Sequence, residues 1–375
     1  MISRRSAAIL GVAVLLVLVV VAYRLADAGR ASRRPPSGPA LLGVFESNDA
    51  AGALGDVRAL ESWQGKRFAV VNLFTSWVEA RGDGPLFRTH LPALWRNRNV
   101  PMISLWADLP NAAVAAGEFD GELDAFAVRL GRFLAGPDGR LGTGDDRRAY
   151  LRLAYEANGS WSPYSPAHGE PPDPAVVQQG VGDFVAMWHR VHDRFVAAGL
   201  GRAQLAWMYS VSTEDSCWGD RCYPLTEGMY PGDAYVDWVG IDGYATPSPS
   251  GSLKPPGQVF GPMIRRVRAI TGRPIGVSEV GVGIDAADAA AKSRWVASYF
   301  DWLAHSGMRM SAWFNFDKEH DWAIFGGGGG DTTYRHRGRR FRGYAAYRTG
   351  AARPWVIGSG GGRRLLTDAE FLGRN

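Results

Sequence analysis

Cysteine and lysine are both scarce in this chain of 375 residues, which holds two cysteines and four lysines (Lys66, Lys254, Lys292 and Lys318). The cysteines, Cys217 and Cys222, stand close together in CWGDRC. A C-x4-C pair without further Cys or a nearby His is poor zinc spacing. In an exported protein such a pair predicts a small disulfide closing a loop. His168 and His320 fall in loops with no second His or Cys at ligand spacing, so no metal site is expected. With lysine so rare, the net charge of +5 is carried almost wholly by arginine, and part of it (Arg4, Arg5, Arg24, Arg30, Arg33, Arg34) precedes the globular region. No basic stripe interleaved with aromatics appears, so no nucleic-acid partner is expected. The pair Arg363–Arg364 and the cluster Arg335–Arg342 read as solvated faces. A Gly-rich phosphate turn is also lacking. The stretch LGVFESNDAAGALG contains no G-x-G-x-x-G, which sets aside a doubly wound nucleotide fold; no cofactor is expected.

The N-terminus has the layout of an export segment. Arg4 and Arg5 precede an uncharged apolar run of 17 residues, Ala7 to Tyr23, closed by Arg24. A membrane span usually takes about 20 such residues. The small-residue pattern Ala26-Asp27-Ala28 follows. Residues 1–28 are therefore expected to be a cleaved signal peptide or an uncleaved anchor, and both place the rest of the chain outside the cell or on its surface. Residues 29–40 (GRASRRPPSGPA) read as a linker. The remainder, 41–375, is long enough to bury a large core.

Short β-rich runs alternate with helical patterns through that remainder, which argues for a parallel α/β sheet. The strand candidates are 41–46, 68–74, 101–106, 150–155, 204–209, 236–241, 274–279 and 309–315. Helical patterns occupy 86–96, 121–134, 181–198, 257–270 and 286–305. In the third of these, Phe184, Met187, Trp188, Val191, Phe195 and Val196 recur at helical spacing. Eight strands over this length match a single (β/α)8 (TIM) barrel, taken as a monomer. Two stretches depart from the repeat. GPDGRLGTGDD (136–146) offers Asp138, Asp145 and Asp146 without EF-hand spacing and reads as a polar turn rather than a calcium loop. GGGGG (326–330) reads as a flexible loop.

Two glutamates carry the chemistry. Glu156 in RLAYEANGSW and Glu279 in RPIGVSEVG each close an apolar, strand-like run and are followed two residues later by Asn158 or Gly281. The C-terminal end of a strand is where a (β/α)8 barrel places its reacting groups. Two carboxyl groups across a sugar are what glycoside cleavage needs: one protonates the leaving oxygen, and the other attacks the anomeric carbon or activates a water.

The segment RLAYEANGSWSPY resembles the acid/base motif of glycoside hydrolase family 26, whose usual form is Arg-x-x-His-Glu-x-Asn-Gly-x-Trp-x-Pro-Trp. YPGDAYVDWVGIDGY (230–244) is similar to that family's sixth-strand segment, RPIGVSEVG to its nucleophile strand, and AWFNFDKEHDWAI (312–324) to its eighth-strand segment. The four matches fall in family order. The resemblance implies a retaining (β/α)8-barrel glycosidase with Glu156 as general acid/base and Glu279 as nucleophile. It implies Arg152 beneath the catalytic centre, Tyr244 holding the nucleophile, and Trp161 and Trp313 lining the sugar subsite. The residues agree with these roles: a Trp wall and a second carboxylate would keep Glu156 protonated, while Tyr244 or Arg152 would favour ionised Glu279. Asp242 is open to sugar binding or to local hydrogen bonding, and Asp237 and Asp321 also lie near strand ends; Glu46 is a weaker candidate for a distal subsite.

This chain departs from the pattern at Tyr155, where the family has His, and at Tyr164, where it has Trp. Both positions are expected near the cleft, so they bear on which sugar is bound. The expected activity is endo-hydrolysis of a β-linked polysaccharide, β-1,4-mannan first. The alternatives are a β-glucan or exopolysaccharide hydrolase and, in a different class, a catalytically silent glycan-binding barrel. The presence of both glutamates counts against the silent barrel.

Overall fold

The computed structural model describes residues 35–47, 50–82, 84–169, 173–218, 221–248, 251–283 and 289–374. The expected signal or anchor at 1–28, with its apolar run 7–23, lies outside the described residues, as do positions 29–34 of the expected linker. Among the described residues no helix is long and apolar enough to cross a membrane.

Eight parallel strands close into a barrel: β1 (Ala40–Phe45), β2 (Val70–Ser76), β3 (Val100–Trp106), β4 (Ala149–Leu153), β5 (Leu205–Ser212), β6 (Trp238–Ala245), β7 (Ile275–Val282) and β8 (Met310–Phe314). Each pairs with its neighbour in sequence, and β1 closes on β8 with Leu41 opposite Met310 and Phe45 opposite Phe314. This is the expected (β/α)8 architecture. The helices packed around it include α1 (Ala50–Gln64), α2 (Leu91–Arg96), α3 (Asp120–Leu134), α4 (Pro174–Ala197), α5 (Pro256–Ile270) and α6 (Ala289–Ser306).

Residues two apart share a face of a strand, so the interior is built in layers. The lowest layer is apolar: Leu41, Val70, Met102, Tyr150, Met208, Trp238 and Met310. It is sealed from below by Leu366 and Phe371, whose short helix Asp368–Phe371 carries a Thr367/Glu370 capping box. The carbonyl of Phe371 accepts from the Tyr150 hydroxyl (3.0 Å) and the Trp238 indole (2.9 Å), so both buried polar tips are satisfied. One step up, two residues along the strand, the layer is polar and buried: Asn72, Ser104, Arg152 and Ser210, joined from farther along their strands by Asp242 and Ser278. A further step up is the aromatic rim of Phe45, Phe74, Trp106 and Phe314, which Tyr244 of β6 joins. The polar layer is where the chemistry sits.

Helix α4 begins at Pro174, seven positions before its expected start of 181. Asp173 caps it by accepting from the Ala175 N–H (2.7 Å), and Pro174 fits the first turn, where no N–H is needed. Gly180 and Gly182 inside the helix hid that start from the periodicity. Phe184, Met187, Trp188, Val191 and Phe195 are buried as their spacing requires, but Val196 faces solvent. Helix α1 and the antiparallel hairpin Thr332–His336/Arg339–Gly343 were not anticipated.

The pentaglycine stretch is a close-packed wrap, not the flexible loop its composition predicts. A Cβ on Gly327 would lie 2.2 Å from a carboxylate oxygen of Asp321, and one on Gly329 would lie 2.2 Å from the Tyr344 hydroxyl. The loop passes that close because the Asp321 carboxylate accepts from the Gly329 and Ala323 N–H groups (2.9 and 3.2 Å). In 136–146 the carboxylates also close the turn: Asp138 accepts from the Arg140 N–H, Asp145 from Asp138 N–H and Thr143, and Asp146 from Gly142 N–H and Gln204. Among the described residues no group of three His, Cys, Asp or Glu side chains is placed to hold a metal.

Candidate active site

Strand β4 ends at Leu153, not at 155. Ala154 (φ 47°) and Glu156 (φ 55°) then adopt left-handed backbone, which is costly for a residue with a Cβ. The turn is held by backbone bonds from Ala154 N–H to the Leu105 carbonyl (2.9 Å) and from Glu156 N–H to the Ser210 carbonyl (3.0 Å). Asn158 ties it to the segment after β5: its amide donates to the carbonyls of Ser212 (3.1 Å) and Glu214 (3.2 Å) and to Asp215 (2.9 Å), and its oxygen accepts from the Ser212 N–H (2.8 Å). That segment continues into the short pair Cys217–Trp218/Arg221–Cys222, where Cys217 and Cys222 form a disulfide.

Glu279 lies inside β7 rather than at its end. The register of β7 slips by one residue against both neighbours at this point: Ile241 pairs with Val277 but Asp242 with Glu279, and Ser311 pairs with Val277 but Trp313 with Val280. The extra residue makes a β-bulge, which re-aims side chains. Ser278 and Glu279, adjacent in sequence, both contribute to the interior network.

Arg152 is the hub. Its guanidinium is fully buried and donates to Asp242 Oδ2 (2.6 Å), Glu279 Oε1 (2.8 Å) and Ser104 Oγ (3.0 Å). Burial disfavours its charge, but the Asp242 and Glu279 carboxylates outweigh burial, so the guanidinium holds its proton more tightly than in water. Tyr244 donates its hydroxyl to the other oxygen of Glu279 (2.5 Å). Asp242 also accepts from Ser278 (2.5 Å) and Ser210 (2.9 Å). Burial pushes the Asp242 carboxyl up to about 7, with the Glu279 charge adding to it, while Arg152 and the two hydroxyls pull against the shift.

Glu156 stands apart from that cation. Burial first, then the charges of Asp242 and Glu279, push its carboxyl well above the ordinary carboxylate range; Arg152 and the Trp161 indole oppose this. Three carboxyls share the site with one guanidinium, and two of them bond to it directly. A proton is therefore best held on the third. The Trp161 indole donates to Glu156 Oε2 (3.1 Å), and a Cβ on Gly159 would collide with that indole at 2.2 Å, so the Asn158-Gly159 turn leaves room for the ring. Trp161 is 53% exposed, as a platform for a solvent-borne ligand should be.

Glu156, Glu279, Tyr155, Trp161 and Tyr244 line one cavity of about 750 Å³, together with Phe45, Phe74, Trp106, Ser212, Phe314, Phe316, Lys318, Glu319 and Trp322. The Tyr155 ring lies 5.0 Å from the Arg152 guanidinium and packs edge-on to Phe74, and burial pushes its phenol up. Two expectations are corrected here. Trp313 does not line the cleft. It is 1% exposed, donates to the Trp322 carbonyl (2.9 Å) and packs among Trp295, Tyr299 and Tyr347. On β8 the inward register is Met310, Ala312, Phe314, so the next residue supplies the aromatic face, and Trp322 supplies the indole. Tyr164 is also buried behind the wall, where its hydroxyl donates to the Tyr155 carbonyl (2.6 Å) and its ring meets Trp106.

Other candidates fall elsewhere. Asp242 is sealed beneath the cleft and offers nothing to a sugar directly. Asp237 pairs with Arg202 (2.5 Å), and Asp321 holds the glycine wrap. Glu46 lines a separate hollow of about 180 Å³ with Asp56, Asn315 and Phe316. His168 bonds the Ser160 carbonyl, and the His320 ring meets Trp322. The buried role of Asp242 and the cleft positions of Phe45, Phe74, Phe314 and Trp322 were missed. Counting inward positions two by two along each strand would have found all but Trp322.

The fold and the site define a (β/α)8 barrel with a paired-glutamate centre, one carboxyl pushed toward its neutral form and the other held by a cation and a phenol. Such an arrangement can donate a proton to a leaving oxygen and present a carboxylate to an anomeric carbon. The fold is that of the glycoside hydrolase family 26 barrels. A mannanase from Bacillus subtilis is 17% identical, with 88% of this chain and 89% of that one covered at a TM-score of 0.54. The family 26 domain of an endo-β-mannanase/endo-β-glucanase from Prevotella bryantii is 13% identical, with 86% and 91% covered at 0.53. A family 26 β-mannanase from Bacteroides ovatus is 15% identical, with 88% and 91% covered at 0.51. In sequence, Endoglucanase H of Acetivibrio thermocellus is 26% identical over 278 residues, which are 72% of this chain and 27% of that protein. The match thus takes in only about a quarter of that relative's length. No protein-family profile matches the chain.

Proposed function

We propose that this protein is a retaining endo-acting glycoside hydrolase that cleaves a β-linked polysaccharide, with β-1,4-mannan as the first substrate. One observation carries the reading: Glu156 and Glu279 open onto the same cleft in unlike environments. Glu156, pushed toward its neutral form, acts as the acid and then the base. Glu279, held by Arg152 and Tyr244, is the nucleophile. Trp161 and Tyr155 contact the sugar, and no cofactor takes part. The mannanase and glucanase names of the similar proteins support a β-linked glycan as substrate. The apolar run from Ala7 to Tyr23 supports action outside the cell or at its surface.

The test is an activity screen of the full chain on mannan, glucomannan, mixed-linkage β-glucan and β-1,3-xylan, with the anomer formed first followed by NMR. Release of the retained anomer from one of these polymers is expected. An inverted first product, or no cleavage of any β-glycan, would refute the reading.

A second reading, a β-glucan or exopolysaccharide hydrolase, is favoured by one residue. Tyr155 lines the cleft beside Glu156, at the position where the acid/base motif that this segment resembles has His.

A further inference from the structure

The antiparallel hairpin Thr332–His336/Arg339–Gly343 breaks two local rules at once, and both breaks add positive charge. Its register sets Arg335 directly opposite Arg340. Like charges across a strand pair repel and weaken the pairing. Its two-residue turn is Arg337-Gly338, with φ of 47° and 83°. Two positive φ values mark the type I′ turn, whose first position suits Asn, Asp or Gly rather than a long side chain. Nothing in the folding of the hairpin calls for arginine at these three positions.

The two faces of the hairpin differ. The inner face carries Tyr334 and Phe341, which pack on Phe325, and Arg339, which pairs with Asp56 (2.5 Å). On the outer face Arg342 donates to the carbonyls of Gly328 (3.0 Å) and Gly330 (3.1 Å). Arg335, Arg337 and Arg340 are exposed, and among the described residues no carboxylate pairs with them. Local conflicts that bring no folding benefit are expected at functional sites.

We propose that this outer face is a binding surface for a carboxylate-bearing polysaccharide, with Arg335, Arg337 and Arg340 as its cationic contacts. Guanidinium groups suit carboxylates through paired N–H donors, and a surface hairpin presents them to a long polymer. The choice of a polysaccharide as the polyanion rests on the hydrolase reading above. The inference extends that reading: acidic forms of the β-linked glycan would be held more tightly than neutral ones.

The test uses the full chain with glucomannan and with the same glucomannan carboxymethylated. Tighter binding to the carboxymethylated polymer, weakening as salt rises, is expected. The variant R335Q/R337N/R340Q should lose on the order of tenfold or more of that binding, the scale of removing charge-assisted contacts. Its kcat/KM on neutral glucomannan should be unchanged, and its melting temperature equal or higher, since Asn fits the turn. Equal binding by the variant, or a lowered melting temperature showing that the arginines are structural, would overturn the proposal. Binding to phosphatidylglycerol vesicles but not to the carboxymethylated polymer would overturn it in favour of a membrane. Arginine-dependent polymer binding without turnover of either polymer would support the surface while refuting the hydrolase reading.

Discussion

Ser278 and Glu279 are neighbours in the chain, yet both side chains enter the same interior network, Ser278 bonding Asp242 at 2.5 Å and Glu279 bonding Arg152 at 2.8 Å. A regular strand would send one of them outward. The bulge in β7 prevents this and delivers a carboxylate to the cleft with its support beneath it. Replacing Glu279 by Ala removes the proposed nucleophile and leaves the bulge to the backbone. Turnover on a β-glycan should fall by several orders of magnitude, about what losing a covalent nucleophile costs, and the melting temperature should fall as well, because the buried Arg152 loses one of its two carboxylate partners. Initial rates on the best polymer of the screen check this, and near-wild-type turnover would remove Glu279 from the mechanism.

Asp242 should matter to the fold more than to the sugar. It is one of two carboxylates that offset the buried Arg152 charge. Asp242→Ala leaves the guanidinium short of a partner, and breaking a buried pair in this way costs about 3–5 kcal/mol. Urea denaturation should show a loss of that size together with reduced activity. A stable variant with full activity would mean that Arg152 is held well enough by Glu279 and Ser104.

Glu156 predicts a pH dependence whose sign is fixed. Its folded carboxyl is pushed up, so the neutral form persists above the range of the unfolded chain. Its contribution to stability is fully present below the unfolded value and is lost as pH rises through the folded one. The alkaline limb of kcat/KM should report the same ionisation. The Trp161 N–H stabilises the ionised form, so Trp161→Phe should move that limb to higher pH. Movement to lower pH, or none, in a pH–rate series would show that the indole does not tune Glu156.

The disulfide predicts a thiol count. Cys217 and Cys222 are bonded beside a segment that Asn158 ties to the Glu156 turn. Alkylation of the unfolded, unreduced protein should find no free thiol, and reduction should expose both. Two free thiols before reduction would contradict the pairing.

The eight barrel strands were legible because parallel strands buried on both faces read as apolar runs, and the helical patterns between them imposed the alternation. Helix α1 was missed because Gly52 and Gly55 dilute its pattern, and the arginine-rich hairpin because its sequence has few apolar residues. At the site, Glu156, Glu279, Arg152, Tyr155, Trp161 and Tyr244 were all named from sequence motifs, and the fold brings them together around one cleft and its floor. The bulge in β7 was not legible, since a one-residue slip leaves no mark in composition. Trp313 was misplaced because a motif names residue types while strand register decides which of two neighbours faces inward.

Tyr155 provides the test of specificity. Its ring is held between Phe74 (5.2 Å) and Trp106 (5.8 Å), over Arg152, and its backbone carbonyl is fixed by Tyr164. The phenol therefore has little freedom to withdraw from a bound sugar. A histidine there would be shorter, with two ring nitrogens in place of one hydroxyl. Those nitrogens would lie close to the cleft wall, where the phenol reaches further. The two should therefore contact different sugar hydroxyls. The wild-type protein is expected to cleave plain mannan weakly and another β-linked or decorated glycan better. Tyr155→His should then raise kcat/KM on mannan relative to that glycan, with the alkaline limb set by Glu156 still present in both. Because the aromatic neighbours and Tyr164 do not depend on the phenol, the variant should fold. A change in ranking can then be read as a change in contact. If the ranking of substrates is the same before and after the substitution, Tyr155 does not select the sugar, and selection must lie with the aromatic rim of Phe45, Phe74, Phe314 and Phe316.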